Sequence, residues 1–171
     1  MKYNVILLDV DGVLNNIETA VTFNGYPFVD GYLINRLKKI IDETGAVVVL
    51  ISTWNRGYWH KEYEEEFKAL YEELSKYRVF IYGCTKFIYD RQFPDIEEDL
   101  FEWLNENSDI INQFVIIDDD ISHYKFSTTE IVEKSPLFNH LVIPNSNFGL
   151  SEEDVLNAIS ILKGERICGC T

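Results

Sequence analysis

The chain has 171 residues, 46% of them apolar and 26% charged. That is enough for one domain with a proper core, and it excludes a mainly disordered chain. Its net charge of −14, from 15 basic and 29 acidic residues, repels polyanions, attracts cations and leaves no Lys/Arg cluster for tight non-specific nucleic-acid binding.

The first element, residues 3–8, is a nearly continuous apolar run that predicts a buried strand, ending in Asp9-Val10-Asp11-Gly12 as a tight turn. The same acids interrupt the N-terminal apolar stretch too early for a signal peptide. Residues 15–26 are polar and irregular, with Gly25 and Pro27 as breakers. The spacing of Leu33, Leu37, Ile40 and Ile41 predicts a helix over 32–41, closed by Gly45 in a left-handed conformation. A second buried strand over 46–51 runs into Ser52, Thr53, Trp54 and Asn55. A helix is expected over roughly 59–76, with Tyr63, Phe67, Leu70, Tyr71 and Leu74 inward; its acidic run from Glu62 to Glu73 reads as a solvated face.

Residues 79–82 form a third short strand, followed by a loop carrying Lys86 and Arg91. Pro94 suits the first turn of a helix whose Ile96, Leu100 and Leu104 point inward. A fourth strand over 114–117 ends in Asp118-Asp119-Asp120, and a fifth covers 140–143. Ser151 caps a last helix with acids in its first turn and Val155, Ile159 and Leu162 buried. The domain is expected over 1–164, with 165–171 as a tail containing Cys168 and Cys170, which lack a second Cys/His pair for zinc. Three cysteines and no run approaching the ~18 apolar residues of a membrane span predict a cytoplasmic protein that does not engage membranes.

Strands alternating with helices imply an α/β fold with a doubly wound parallel sheet, in which ligands bind beyond the carboxyl ends of the strands where strand order reverses. The residues at those ends are Asp9 and Asp11, Ser52 and Thr53, and Asp118, Asp119 and Asp120. Carboxylates crowded together repel unless a cation lies among them, and a hard oxygen-liganded ion such as Mg²⁺ fits best. Two residues apart on extended chain, Asp9 and Asp11 point the same way. One carboxylate could attack phosphorus and the other could protonate the leaving oxygen and later activate water. A hydroxyl from Ser52 or Thr53 could hold a phosphoryl oxygen, and Lys86 or Arg91 could neutralise its charge. Tyr58, Trp54 and Trp59 could stack on a base, although packing is the commoner use of such residues. His60, His123 and His140 each stand alone in sequence, so spacing marks none as a ligand.

The stretch Leu7-Leu8-Asp9-Val10-Asp11-Gly12-Val13-Leu14-Asn15 closely resembles the first motif of the haloacid dehalogenase-like (HAD) phosphohydrolases. Residues 47–52 resemble the second motif, an apolar strand ending in Ser or Thr, and residues 115–119 the fourth, an apolar strand ending in paired acids. Arg91 best fits the place of the third motif, with Lys86 in reserve. A narrower resemblance, to the HAD domains of Swiss army knife RNA-repair proteins, is carried by Ile51 to Asn55, Gly83-Cys84-Thr85, Arg91, Trp103-Leu104, Ile117 to Asp120, and Phe148 to Asp154. Where that group would place Arg after the Ser-x-Trp segment, this chain has Asn55 followed by Arg56.

The resemblance implies a capless Rossmann-like core of five parallel strands in the order 3-2-1-4-5. It implies Asp9 as the nucleophile that becomes an aspartyl-phosphate, and Asp11 as general acid/base with its main-chain carbonyl on Mg²⁺. It further implies Asp9, Asp118 and Asp119 as metal ligands, Ser52 and Arg91 on the phosphoryl group, and Asp120 as a capping or surface acid. Neither the stretch 15–31 nor 56–78 has room for a folded cap, so the site should be open. Open members act on large substrates or borrow a lid from a partner. The expected substrate is therefore a phosphomonoester on a nucleotide, a polynucleotide end or a phosphoprotein. The competing reading is a receiver-like phosphate or metal sensor, against which stand the second acid at Asp11 and the lack of an acid after the third strand.

Overall fold

In the computed structural model, which describes residues 1–86, 96–124 and 137–165, the first apolar run becomes β1 (Tyr3–Leu8), the central strand of a parallel sheet. Its neighbours are β4 (Val47–Leu50) on one side and β6 (Ile111–Ile117) on the other, with β5 (Ile81–Cys84) and β7 (Leu141–Val142) at the edges. The order β5-β4-β1-β6-β7 is the expected doubly wound order 3-2-1-4-5, and every pairing in this sheet is parallel. The chain moves outward from β1 to β5, then returns to the other side of β1 to form β6. That reversal opens a crevice at the carboxyl ends of β1 and β6.

Successive side chains of the central strands alternate between two cores, as strand geometry demands. Ile6, Leu8, Val48, Leu50, Val115 and Ile117 face one, packed by α1 (Gly31–Thr44), α3 (Glu64–Lys76) and α5 (Glu152–Leu162). Val5, Leu7, Val49, Ile51 and Ile116 face the other, covered by Leu100 of α4 (Ile96–Glu106) and by Tyr124 and Leu137. Both faces of the sheet are therefore dry, which is what lets β1 be almost wholly apolar.

Helix ends follow the residues that cap them. The Asp30 side chain accepts from the Tyr32 amide at the start of α1, and Gly45 closes it at φ 64°. Ser151 and Asp154 form a reciprocal capping box on α5. The fourth strand begins at Ile111, three residues before the expected 114, and two further boundaries differ from expectation. The helix foreseen over 59–76 is two pieces, a short α2 (Arg56–Trp59) and then α3, because His60 turns extended at φ −125°. The Trp59 indole donates to the Thr85 carbonyl at 2.8 Å and ties α2 to the end of β5. The third strand starts two residues later than expected. Arg78 takes φ 61°, and the Val79 amide still bonds back to the Leu74 carbonyl at 3.1 Å as part of the closing turn of α3.

Between Leu14 and α1 lies only a small hairpin, β2 (Thr22–Phe23) and β3 (Tyr26–Pro27), turned by Asn24 and Gly25 at φ 52° and 84°. Between β4 and β5 the chain forms α2, α3 and two short 3₁₀ turns, and neither connection holds a cap domain. Among the described residues, no helix is long and apolar enough to cross a membrane. Cys84 is buried, and burial pushes its thiol up to about 12, out of the reactive range. Cys168 and Cys170 lie outside the described residues.

The loop before α5 closes on the turn after β1. The Leu150 amide donates to the Val13 carbonyl at 2.9 Å, and Gly149 sits at φ 69°. A Cβ there would come within 2.5 Å of Leu33 Cδ1 and 2.9 Å of the Val13 carbonyl oxygen. Gly149→Ala is expected to cost roughly 2 to 4 kcal/mol, from left-handed strain and overpacking together. Urea unfolding measures it, and an unchanged midpoint would show that the loop gives way without loss.

Candidate active site

Asp9 continues β1 by one residue, its amide donating to the Ile117 carbonyl at 2.9 Å, and its side chain is buried. Beyond it the chain turns back on itself, with the Val13 and Leu14 amides both bonded to the Val10 carbonyl. Gly12 makes the turn at φ 68°, and a Cβ on it would lie 2.3 Å from an Asp119 carboxylate oxygen. The position therefore needs glycine twice over, for its backbone conformation and for the approach of Asp119.

Asp118 extends β6 in the same way, its amide donating to the Val142 carbonyl at 3.2 Å. Asp9, Asp118 and Asp119 each bring a carboxylate oxygen to within 4.8 Å of the others. Asp118 is fully buried and held from three sides. The Asp120 amide donates to its Oδ1 at 2.9 Å, the Tyr124 hydroxyl to its Oδ2 at 2.8 Å, and His123 Nδ1 lies 3.2 Å from the same oxygen. Asp120 caps the turn Ile121–His123 by accepting from the Ser122 amide, and the Ser122 hydroxyl, then that amide, hold its carboxyl below the usual range.

On the other side of β1, β4 delivers Ser52 to the floor of the crevice. Its Oγ is buried and makes no hydrogen bond of normal geometry among the described residues. Thr53, Trp54 and Asn55 form a 3₁₀ turn anchored by Asn55, whose Nδ2 donates to the Thr85 carbonyl and Oγ1. Asp11 is exposed and stands apart from the carboxylate trio. Asn15 Nδ2 donates to its Oδ1 at 2.8 Å and Trp54 Nε1 to its Oδ2 at 3.0 Å.

Part of this set opens onto a cavity of about 740 Å³, while Ser52 and Asp118 lie behind its lining. Asp9, Asp11, Asp119 and Asp120 are among its lining residues. Phe23, Tyr26 and Trp54 give its mouth an aromatic wall, and Arg56 faces it while paired to Glu66. Its size is within the ordinary range for small-molecule sites. The electrostatics are unfavourable as the chain stands. Burial, then the charge of Asp118, pushes Asp9 up to about 7, with the Ser52 hydroxyl pulling the other way. Asp119 is raised by burial and by Asp118. The carboxylate beside it raises His123.

A divalent cation fits this set. Three oxygen donors converge, their burial makes their joint ionisation costly without a counter-charge, and oxygen-only ligation suits Mg²⁺. Asp9, Asp118 and Asp119 would hold it, and the role foreseen for Asp11 is through its main-chain carbonyl.

Of the residues singled out in sequence, the fold gathers Asp9, Asp11, Ser52, Thr53, Asp118 and Asp119 at one end of the sheet. Arg91 lies outside the described residues. The Lys86 ammonium is engaged by Glu102 and Glu106 of α4, at 2.6 and 3.1 Å. Sequence reasoning missed Asn15, His123 and Tyr124, and offered Trp54 as packing or as a ring to stack on a base. The only signal for His123 and Tyr124 was their place in the loop directly after the acids of the fourth strand.

The family model for the HAD domain in Swiss Army Knife RNA repair proteins matches residues 5–155. No curated protein matches the chain. The matched span includes every residue of the site described above.

The raised Asp9 has a consequence for stability. Between its ordinary 3.8 and about 7, the folded cation-free protein holds a proton that the unfolded chain has already lost. Stability from this group is thus complete at low pH and drains away as pH rises toward neutrality. In EDTA the melting temperature should fall over that interval, and Asp9→Asn should flatten the fall. Added Mg²⁺ should raise it more at neutral pH than at about pH 5, since the ion binds the ionised cluster. An equally steep fall in the Asp9→Asn protein would locate the buried proton elsewhere.

Proposed function

We propose that this chain, which belongs to the family of HAD domains in Swiss Army Knife RNA repair proteins, is a Mg²⁺-dependent phosphatase acting through an aspartyl-phosphate on Asp9. The observation that carries this reading is the convergence of Asp9, Asp118 and Asp119 within 4.8 Å, with Asp11 two residues beyond the first. An Asp cluster on a HAD scaffold is suited to hydrolysis of phosphate esters.

In the first step an Asp9 carboxylate oxygen attacks phosphorus while the ester P–O bond breaks. The departing oxygen takes a proton from Asp11, which leaves alcohol, aspartyl-phosphate and an ionised Asp11. In the second step Asp11 takes a proton from water, the water oxygen attacks phosphorus, and the bond from phosphorus to Asp9 breaks. Phosphate leaves and both acids return to their starting states. The buried Ser52 hydroxyl, which lies close enough to Asp9 to lower its pKa, would donate to a phosphoryl oxygen. When bound, Mg²⁺ offsets the negative charge shared by the carboxylates and the phosphoryl group. Asp118, held by Tyr124, His123 and the Asp120 amide, keeps the ligand set rigid.

The favoured substrate is a phosphomonoester on a nucleotide or at a polynucleotide end. Two features support it. The mouth of the cavity offers aromatic faces from Phe23, Tyr26 and Trp54 on which a base could stack, and the family is described by its occurrence in RNA repair proteins. Among the described residues no cap closes the cavity, so the rest of a strand could extend into solvent. The overall charge of −14 disfavours long nucleic acid held along its backbone.

Phosphate release from nucleotides, 5′- and 3′-phosphorylated oligonucleotides and phosphopeptides, with Mg²⁺ and with EDTA, tests this. Nucleotides or oligonucleotide ends should be the best substrates. EDTA should stop turnover, and Asp9→Asn should slow it by at least about 10³-fold. Equal release by the parent and Asp9→Asn proteins would refute the reading.

A further inference from the structure

We infer that Trp54 is a positioning residue for the general acid/base, orienting Asp11 through its indole N–H and coupling that orientation to the β2–β3 hairpin at the mouth of the cavity. The inference rests on the phosphatase reading and adds a component to its machinery.

Asp11 is exposed, and an exposed aspartate ordinarily samples several rotamers. Here both oxygens are held. Trp54 Nε1 donates to Oδ2 at 3.0 Å and Asn15 Nδ2 to Oδ1 at 2.8 Å. Asn15 is itself fixed, because its Oδ1 accepts from the Gly12 amide at 2.8 Å. One donor thus comes from the turn that carries Asp11, and the other crosses 43 residues of sequence from the end of β4. An indole N–H is a donor only and carries no charge. It orients the carboxylate and cannot take up its proton, and each oxygen retains a second lone pair able to carry one.

The indole is also wedged. Its ring lies 5.5 Å from that of Phe28 and 6.3 Å from that of Phe23, and those two rings are 5.5 Å apart. Phe23 belongs to β2 and lines the cavity with Trp54 and Asp11. A leaving group resting against Phe23 therefore presses on the same aromatic cluster that sets the indole. The 3₁₀ turn carrying Trp54 is pinned from below by Asn55 on Thr85, so the ring can respond while its backbone stays in place.

General acid help matters most for a poor leaving group and least for a good one. Trp54→Phe keeps an aromatic ring and removes the donor. It should lower kcat for an alkyl phosphate by roughly 10- to 100-fold, with KM little changed, and for p-nitrophenyl phosphate by less than about threefold. Trp59→Phe removes another indole bond, the one to the Thr85 carbonyl, and should show no such dependence on leaving group.

A second measurement does not require turnover. In a ¹⁵N–¹H spectrum the Trp54 indole signal, identified by its loss in Trp54→Phe, should shift on Asp11→Ala while that of Trp59 stays. An unmoved Trp54 signal overturns the inference, as does an equal loss of rate for both esters. In either case phosphate release by the parent, lost in Asp9→Asn, would leave the phosphatase reading standing. Absence of Asp9-dependent release would remove both.

Discussion

The structure is organised around an electrostatic cost. Asp9 and Asp118 are buried side by side at the carboxyl ends of adjacent strands, and the contacts of Asp118 with Tyr124, His123 and the Asp120 amide still leave Asp9 raised. Coulomb repulsion and desolvation act in the same direction, and together they hold Asp9 in a protonated state well above the ordinary carboxylate range. A core does not accumulate such groups for stability, since apolar residues of similar size would pack there without cost. The arrangement makes physical sense as a receptor for positive charge and for a group that arrives with it.

Most of the remaining fold serves to make that placement unavoidable. β1 and β6 are in register from Asn4 with Gln113 to Leu8 with Ile117, so the two acids that follow must emerge together. Apolar residues on both faces of both strands prevent a slip, because a shift of one residue would exchange the two cores. Gly12 then lets the first turn close over Asp119, and the loop around Gly149 locks that turn from behind. Asp118 is denied freedom by Tyr124, whose hydroxyl is itself raised in pKa by burial and so remains a donor.

Local patterns carried the strand order and the acids into the sequence in readable form. A run such as residues 3–8 ending in Asp9-Val10-Asp11-Gly12 says strand and then turn without reference to anything distant. The Gly45 and Ser151 helix ends were equally local. What was not legible depends on contacts across the chain. The break at His60 accompanies the reach of Trp59 to Thr85, and the late start of β5 depends on how α3 closes at Arg78. His123 and Tyr124 meet Asp118 only because a 3₁₀ turn folds back beneath the strand end. The sequence offers Trp54 for packing or for stacking on a base, and it does pack on Phe23 and Phe28. Its polar edge was invisible until the turn after β4 had been placed opposite the turn after β1.

The charge of the molecule and the character of the cavity bear on the proposed substrate in different ways. Most acidic side chains, including those of the run in α3, lie on the surface, and at physiological salt their fields fade over about 8 Å. They penalise a long polyanion, which meets many of them, more than a single terminal phosphate, which meets few. At the cavity floor screening is weaker and the acids are close, so there the sign of the field must be reversed by a bound cation before a phosphate can enter. Cation and phosphate would then bind with positive coupling, each improving the site for the other, and the same linkage requires the reciprocal effect. On this reading the aromatic mouth contributes uncharged attraction for whatever carries the phosphate. Affinity for a strand would come from its end, with its length adding little.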